Sequence, residues 1–168
     1  MKHNHDRFFP FDPLASCKNF SCVGGDCGAD EAKIICGFEE LQQKKICIVY
    51  SIGSNNQWKF ELDMISRTQC NVHTFDCTGD FARFHKPSHS RIHFHHICLS
   101  NKNAAPNLSC DKSRGICGAT MTLNEIQSML SHRRIDFLKM DIEGYKWPVF
   151  ESWHNNFETE EWILLDKT

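Results

Sequence analysis

The chain of 168 residues lacks any apolar run near the roughly 20 residues that cross a bilayer, so no membrane span is expected. Its N-terminus, Met1-Lys2-His3-Asn4-His5-Asp6-Arg7, lacks the apolar core of a signal peptide, and the expectation is a soluble chain. Neither sign of charge dominates: 19 Lys and Arg against 21 Asp and Glu leave a formal net charge of -2. That balance supplies no general field for nucleic acid or an anionic membrane. There is no internal repeat and no long low-complexity tract. No two cysteines stand at the two-residue spacing of common zinc knuckles.

What the chain does have is cysteine. Ten are many for a cytosolic protein, yet too sparse for a small disulfide scaffold. Cys17, Cys22 and Cys27 follow a C-x4-C-x4-C spacing with Cys36 beyond, and read as disulfides or free thiols. Cys110 and Cys117 bracket a polar loop and would bridge it in an oxidising compartment. Cys47 and Cys98 fall inside strand candidates and read as buried small hydrophobes. Asn-x-Ser sequons at Asn19 and Asn107 accept glycans only if the chain enters the secretory path. The compartment therefore stays open, with a secretory or luminal one among the alternatives.

Residues 1–29 read as an irregular, cysteine-containing lead-in, and residues 30–168 as an α/β domain. Asp30 is placed to cap a helix reaching about Lys44. Ile46 to Tyr50 is a short apolar, β-branched run, the pattern of a strand buried on both faces. A helix over about Trp58 to Ser66 follows, with Leu62 and Ile65 spaced for one face. Further strands are expected at Asn71–Asp76, Arg91–Leu99, Ile135–Met140 and Glu161–Leu165, and a long polar loop over residues 101–118. Thr122 and Glu125 form a capping box that starts a helix. Pro148 lies near the start of another, where its missing N–H costs least. Alternating strands and helices predict a Rossmann-like, mostly parallel sheet with flanking helices, truncated after its fifth strand.

In such sheets ligands bind beyond the carboxyl ends of the strands. Three constellations fall there. Tyr50-Ser51-Ile52-Gly53-Ser54-Asn55-Asn56 sits between a strand and a helix N-terminus, where backbone N–H groups can face an anion; it also fits a plain βα turn. Asp76, about 20 residues on, can accept ribose hydroxyls, or simply form a turn. Asp141 and Glu143, with Gly144 between strand and helix, can serve as a general base, bind an ammonium, hold a metal, or cap the following helix. His93, His95 and His96 read as surface histidines, and no metal is assigned.

In their order and spacing, Tyr50-Ser51-Ile52-Gly53-Ser54-Asn55, His73-Thr74-Phe75-Asp76 and Lys139-Met140-Asp141-Ile142-Glu143-Gly144 resemble class I methyltransferases of the FkbM-like type. The resemblance is nearest to the animal methyltransferase-like group and runs from about Cys36 to Trp153. It implies a small-molecule cofactor, S-adenosylmethionine, and an unidentified methyl acceptor, with a small molecule or glycan hydroxyl as the guess. It implies that the loop of Ser51, Gly53, Ser54 and Asn55 holds the methionine end of the cofactor and that Asp76 holds its ribose. Ser100 would lie beside the adenine, and Asp141 and Glu143 would border the methyl-transfer pocket. Two other readings stay open: a non-catalytic binding module that keeps the fold, and a luminal, disulfide-stabilised interaction domain.

Overall fold

The computed structural model describes residues 19–29, 31–102, 109–111, 116–142 and 146–156. Its centre is a four-stranded sheet in the order β5-β4-β3-β9, formed by β3 (Ile48–Ile52), β4 (Asn71–Phe75), β5 (Ile92–His95) and β9 (Phe137–Met140). All three pairings are parallel, with Ile52 opposite both Phe75 and Met140, and Phe75 opposite His95. The four strands therefore finish on one line. From β3 the chain moves outward through β4 to β5, then returns to place β9 on the other side of β3. The gap between β3 and β9 is thus the switch point, where such sheets leave a crevice.

Parallel strands covered on both faces need apolar residues in both directions, and the short β-branched runs supply them. One face, with Val49, Val72 and Ile92, packs on Phe38 and Leu41 of α1 (Phe38–Gln43) and Phe60 and Met64 of α2 (Lys59–Arg67). The other, with Tyr50, Ile52 and Phe75, packs on Ile126 of α3 (Leu123–Leu130) and Val149 of α4 (Lys146–Asn156). The capping box forms as the sequence predicts: Glu125 N–H donates to the Thr122 hydroxyl at 3.3 Å and Thr122 N–H to the Glu125 carboxylate at 2.7 Å.

Several elements differ from expectation. The helix over residues 30–44 is confined to α1, because residues 33–36 are strand β2 (Lys33–Cys36), paired antiparallel with β1 (Phe20–Val23). Ile34 is exposed and Ile35 buried, a period of two that a strand reads and a helix does not. On α2, Ile65 is buried as expected but Leu62 is exposed; the inward face is Phe60, Glu61, Met64 and Ile65. The run Arg91–Leu99 breaks at His96 into β5 and β6 (Ile97–Leu99). β6 belongs to a second sheet, β6-β8-β7, with β7 (Ser109–Asp111) and β8 (Ile116–Met121) lying where a loop was expected. The expected strand Glu161–Leu165 lies outside the described residues.

Cys47 and Cys98 are buried, but as disulfides, Cys47–Cys70 and Cys77–Cys98, rather than as packed thiols. Their partners had no sequence signal, because Cys47 meets Cys70 through the pairing of β3 with β4 and Cys77 meets Cys98 where the second sheet packs on the first. Cys22 of β1 bonds Cys27 in the turn that follows. Cys117 lies opposite Cys110 in the β7–β8 pair and is itself disulfide-bonded, as is Cys36. Among the described residues no cysteine is free.

Candidate functional site at the carboxyl edge of the sheet

The loop after β3 is built around two left-handed asparagines and one glycine. Gly53 has φ +79°, and a Cβ there would lie 2.0 Å from the Asp141 carbonyl oxygen. Only glycine lets the ends of β3 and β9 meet so closely. The space above Gly53 is thus taken by the backbone of Asp141. Asn55 (φ 46°) and Asn56 (φ 63°) continue the bend, tolerated because their short amides bond locally. The Asn56 side chain accepts from the Trp58 indole at 3.1 Å and from His85 N–H at 2.8 Å, and Arg83 donates to the Asn55 side chain.

Asp76 holds this loop from the end of β4. One carboxylate oxygen accepts the N–H groups of Ser54 (2.8 Å) and Asn55 (2.6 Å), and the other accepts Thr78 N–H at 2.8 Å. The residue is 5% exposed. The first oxygen also takes the Ser54 hydroxyl at 3.4 Å and is filled, whereas the second holds one donor and, with about two acceptor directions per oxygen, has room for about one more. The pattern Gly-Ser-Asn followed by Asp at a strand end is therefore a clamp on the loop itself, with capacity for one ligand hydroxyl.

Asp141 emerges beyond β9 with its side chain 47% exposed, 2.9 Å from the Lys33 ammonium of the β1–β2 hairpin. Partial burial pushes its carboxyl up, but the bond to Lys33 and the charges of Lys139 and Lys146 outweigh that and hold it below the usual carboxylate range. It is anionic at any working pH. Glu143, the second expected carboxylate, lies outside the described residues.

Ser51 does not face the crevice. Its hydroxyl donates to Glu61 at 2.7 Å inside the core. Ser100 follows β6, and the Cys77–Cys98 bond joins that strand to the residue after Asp76. Beside Ser100 opens a cavity of about 540 Å³, walled by Thr122, Asn124 and Glu125 at the start of α3 and by Ser152 and Trp153 of α4. So Ser54, Asn55 and Asp76 are directly bonded, Gly53 and Asp141 touch through backbone, Ser100 borders a neighbouring cavity, and Ser51 points away. Among the described residues no group of three or more His, Cys, Asp or Glu is arranged to hold a metal ion, and no helix is long and apolar enough to cross a membrane.

Sequence reasoning missed Lys33, Lys139 and Glu61. Lys33 had no signal, because hairpin packing alone brings it to Asp141. Lys139 was visible as a charge inside an apolar strand, an anomaly that usually marks a buried partner. Its ammonium donates to the Gly53 carbonyl oxygen.

A mostly parallel sheet with the Gly53 loop, Asp76 and Asp141 along one edge has the frame of a Rossmann-like methyltransferase domain. The chain belongs to that family: residues 2–164 match the family model described as a methyltransferase domain. It is 28% identical over 111 residues to the human protein named "Probable methyltransferase-like protein 24", covering 66% of this chain and 29% of that protein. Against the rat protein of the same name it is 29% identical over 117 residues, covering 69% and 31%. The chain thus spans about a third of the length of these curated relatives. No solved structure matches it.

Proposed function

We propose that this domain binds S-adenosylmethionine at the carboxyl edge and passes its methyl group to an acceptor oxygen or nitrogen. The observation that carries the reading is the meeting of the Gly53 loop, Asp76 and Asp141 at the switch point, in a chain of the methyltransferase-domain family. The cofactor would supply an electrophilic methyl on a sulfonium: the acceptor–carbon bond forms as the carbon–sulfur bond breaks, and the electron pair leaves on sulfur. Positioning does most of the work in such a displacement. Asp76 would accept a ribose hydroxyl with its remaining acceptor direction. Asp141, held anionic, suits the cofactor's ammonium better than proton abstraction, since a base so far below neutral drives transfer poorly. Glu143 would then be the carboxylate left to take the acceptor's proton. A small molecule or glycan hydroxyl is the acceptor class we assign. The cavity beside Ser100 offers an aromatic wall, Trp153, together with hydroxyl and amide groups, which suits a hydroxylated ring.

The disulfides favour an oxidising compartment, the secretory lumen or beyond it. Counting reactive thiols in denaturant on the protein as isolated from its native cells tests this; ten reactive thiols would contradict it.

Calorimetry with S-adenosylmethionine tests the enzyme reading. Binding is expected in wild type, weaker by tenfold or more in Asp76→Ala and Asp141→Ala, and flat between about pH 6.5 and pH 7.5, where Asp141 and the cofactor's ammonium both stay charged. A well-folded protein that takes up no cofactor overturns the proposal.

A further inference from the structure

Beneath the loop lies a second set of charged groups that the mechanism does not use. Glu61 is 1% exposed on the inward face of α2. One of its carboxylate oxygens accepts the Ser51 hydroxyl at 2.7 Å and the Thr74 hydroxyl at 3.3 Å. The other has no hydrogen-bond partner among the described residues. Lys139, 9% exposed, projects from β9 on the same face of the sheet, opposite Ser51 in the strand register. Its ammonium bonds the Gly53 carbonyl and lies 5.9 Å from the centre of the Phe60 ring.

Burying both signs of charge in a core is expensive, and apolar residues of the same volume would hold the sheet at least as well. Two such groups directly under a ligand loop therefore need a reason other than stability. We propose that Glu61 is a positioning residue for the cofactor loop: its buried carboxylate keeps the Lys139 ammonium charged, and that ammonium fixes the Gly53 carbonyl from below while Asp76 fixes the Ser54 and Asn55 amides from above. Loop residues 53–55 are then gripped by a cation at one end and an anion at the other, so their amides are set before a ligand arrives.

The groups around Lys139 are consistent with this division. Burial pushes its ammonium toward the neutral form; Glu61 from α2, Asp141 beyond β9 and Asp76 beyond β4 oppose that, and Lys33 from β2 adds to it. Burial likewise pushes the Glu61 carboxyl up, countered by the Ser51 and Thr74 hydroxyls and by Lys139. Asp141 and Asp76 are committed to Lys33 and to the loop amides. Glu61 is the acid of the three with a buried oxygen that has no hydrogen-bond partner among the described residues.

The inference rests on the cofactor reading for its purpose but not for its test. In ligand-free protein, the Ser54 and Asn55 amide resonances are expected to be constant between pH 6 and pH 8.5 in wild type. In Glu61→Gln, which keeps the shape and the hydroxyl bonds, they should titrate within that range as Lys139 loses its proton. The Glu61→Gln/Lys139→Arg double variant, whose cation does not titrate, should be flat again. Cofactor affinity of Glu61→Gln should fall about tenfold more than that of wild type across the same range. Loop amides that stay flat in Glu61→Gln, or titrate equally in the double variant, overturn the proposal. Should Glu61→Gln not fold, the wild-type Lys139 side-chain resonance decides: charged at pH 8 supports the grip, and neutral at pH 7 overturns it. Wild type that binds no cofactor sinks the functional reading and leaves the amide test standing.

Discussion

The two edges of the central sheet each carry a buried aspartate, and the two are used in opposite ways. At the amino edge, Asp136 precedes β9 and accepts Ile48 N–H at 2.9 Å, Lys44 at 2.6 Å and Arg134 at 3.0 Å. Burial pushes its carboxyl up, but the bonds to Lys44 and Ile48 and both cations outweigh it and leave it below the usual range. The Cys47–Cys70 disulfide spans the same edge, joining the residues that precede β3 and β4. At the carboxyl edge, Asp76 accepts backbone N–H groups and, at 3.4 Å, the Ser54 hydroxyl of a loop with left-handed residues, and no charged partner bonds it. The amino edge is closed by strong bonds between side chains and strands. The carboxyl edge is held by bonds that a ligand's own polar groups can join. One edge is a staple, the other a site.

That contrast breaks first at the disulfide. Replacing Cys47 and Cys70 together by alanine removes a cross-link of sequence separation 23 and is expected to cost about 3 kcal/mol in denaturant unfolding. Cofactor affinity of the folded variant should be unchanged, because nothing at the carboxyl edge moves. A large loss of affinity with little loss of stability would reverse the assignment of the two edges. Next in size is Asp136→Ala, which orphans Ile48 N–H and should cost about 2 kcal/mol, again without effect on binding. Asp76→Ala should do the reverse. Two of the amides it holds, those of Asn55 and Thr78, belong to exposed residues that water can serve, so stability should fall by about 1 kcal/mol while cofactor binding weakens tenfold or more.

The staple edge was harder to read in the sequence than the site edge. Gly53, Asp76 and Asp141 stood at the ends of apolar runs, and a parallel sheet must bring such ends to one line. Asp136 looked like an ordinary residue of a strand beginning at Ile135, since nothing local says that Lys44 and Ile48 lie against it. Glu61 was hidden by helical amphipathicity: Leu62 and Ile65 read as the inward face, which left Glu61 without a reading. Once Phe60 and Met64, four apart, are taken as the buried pair, Glu61 falls on the same arc, and its burial could have been inferred. The β1–β2 hairpin and the second sheet escaped because their strands are short and rich in Cys, Ser and Gly, so composition spoke for loop while pairing partners decided otherwise.

Between the edges, on the face toward α3, runs a strip of imidazoles, of which the sequence placed His93 and His95 on the surface. His73 Nδ1 and His95 Nε2 are 3.0 Å apart, and Tyr50 bonds His132 Nδ1 at 2.8 Å. His93 stacks on His73 with ring centres 4.6 Å apart. Burial, then the neighbouring imidazoles, pushes His73 down to about 3 and His95 to about 4. An unfolded imidazole binds its proton near 6.5, so on acidification the unfolded chain is protonated first. The stability that neutral His73 contributes is therefore present above about 6.5 and is lost progressively as pH falls toward its folded value. Between pH 7 and pH 5.5 the loss from this one group is about 1 kcal/mol. His73→Gln should flatten the acid limb of a denaturation series by that amount. The strip also reaches the site, since Asp76 N–H donates to the His95 carbonyl at 3.2 Å. Acid should thus loosen the carboxyl edge before the amino edge, whose Asp136 stays charged well below that range. Hydrogen exchange at pH 5.5 reads the order directly: faster opening of the Asp76 amide than of the Ile48 amide keeps the two edges distinct, and equal opening merges them.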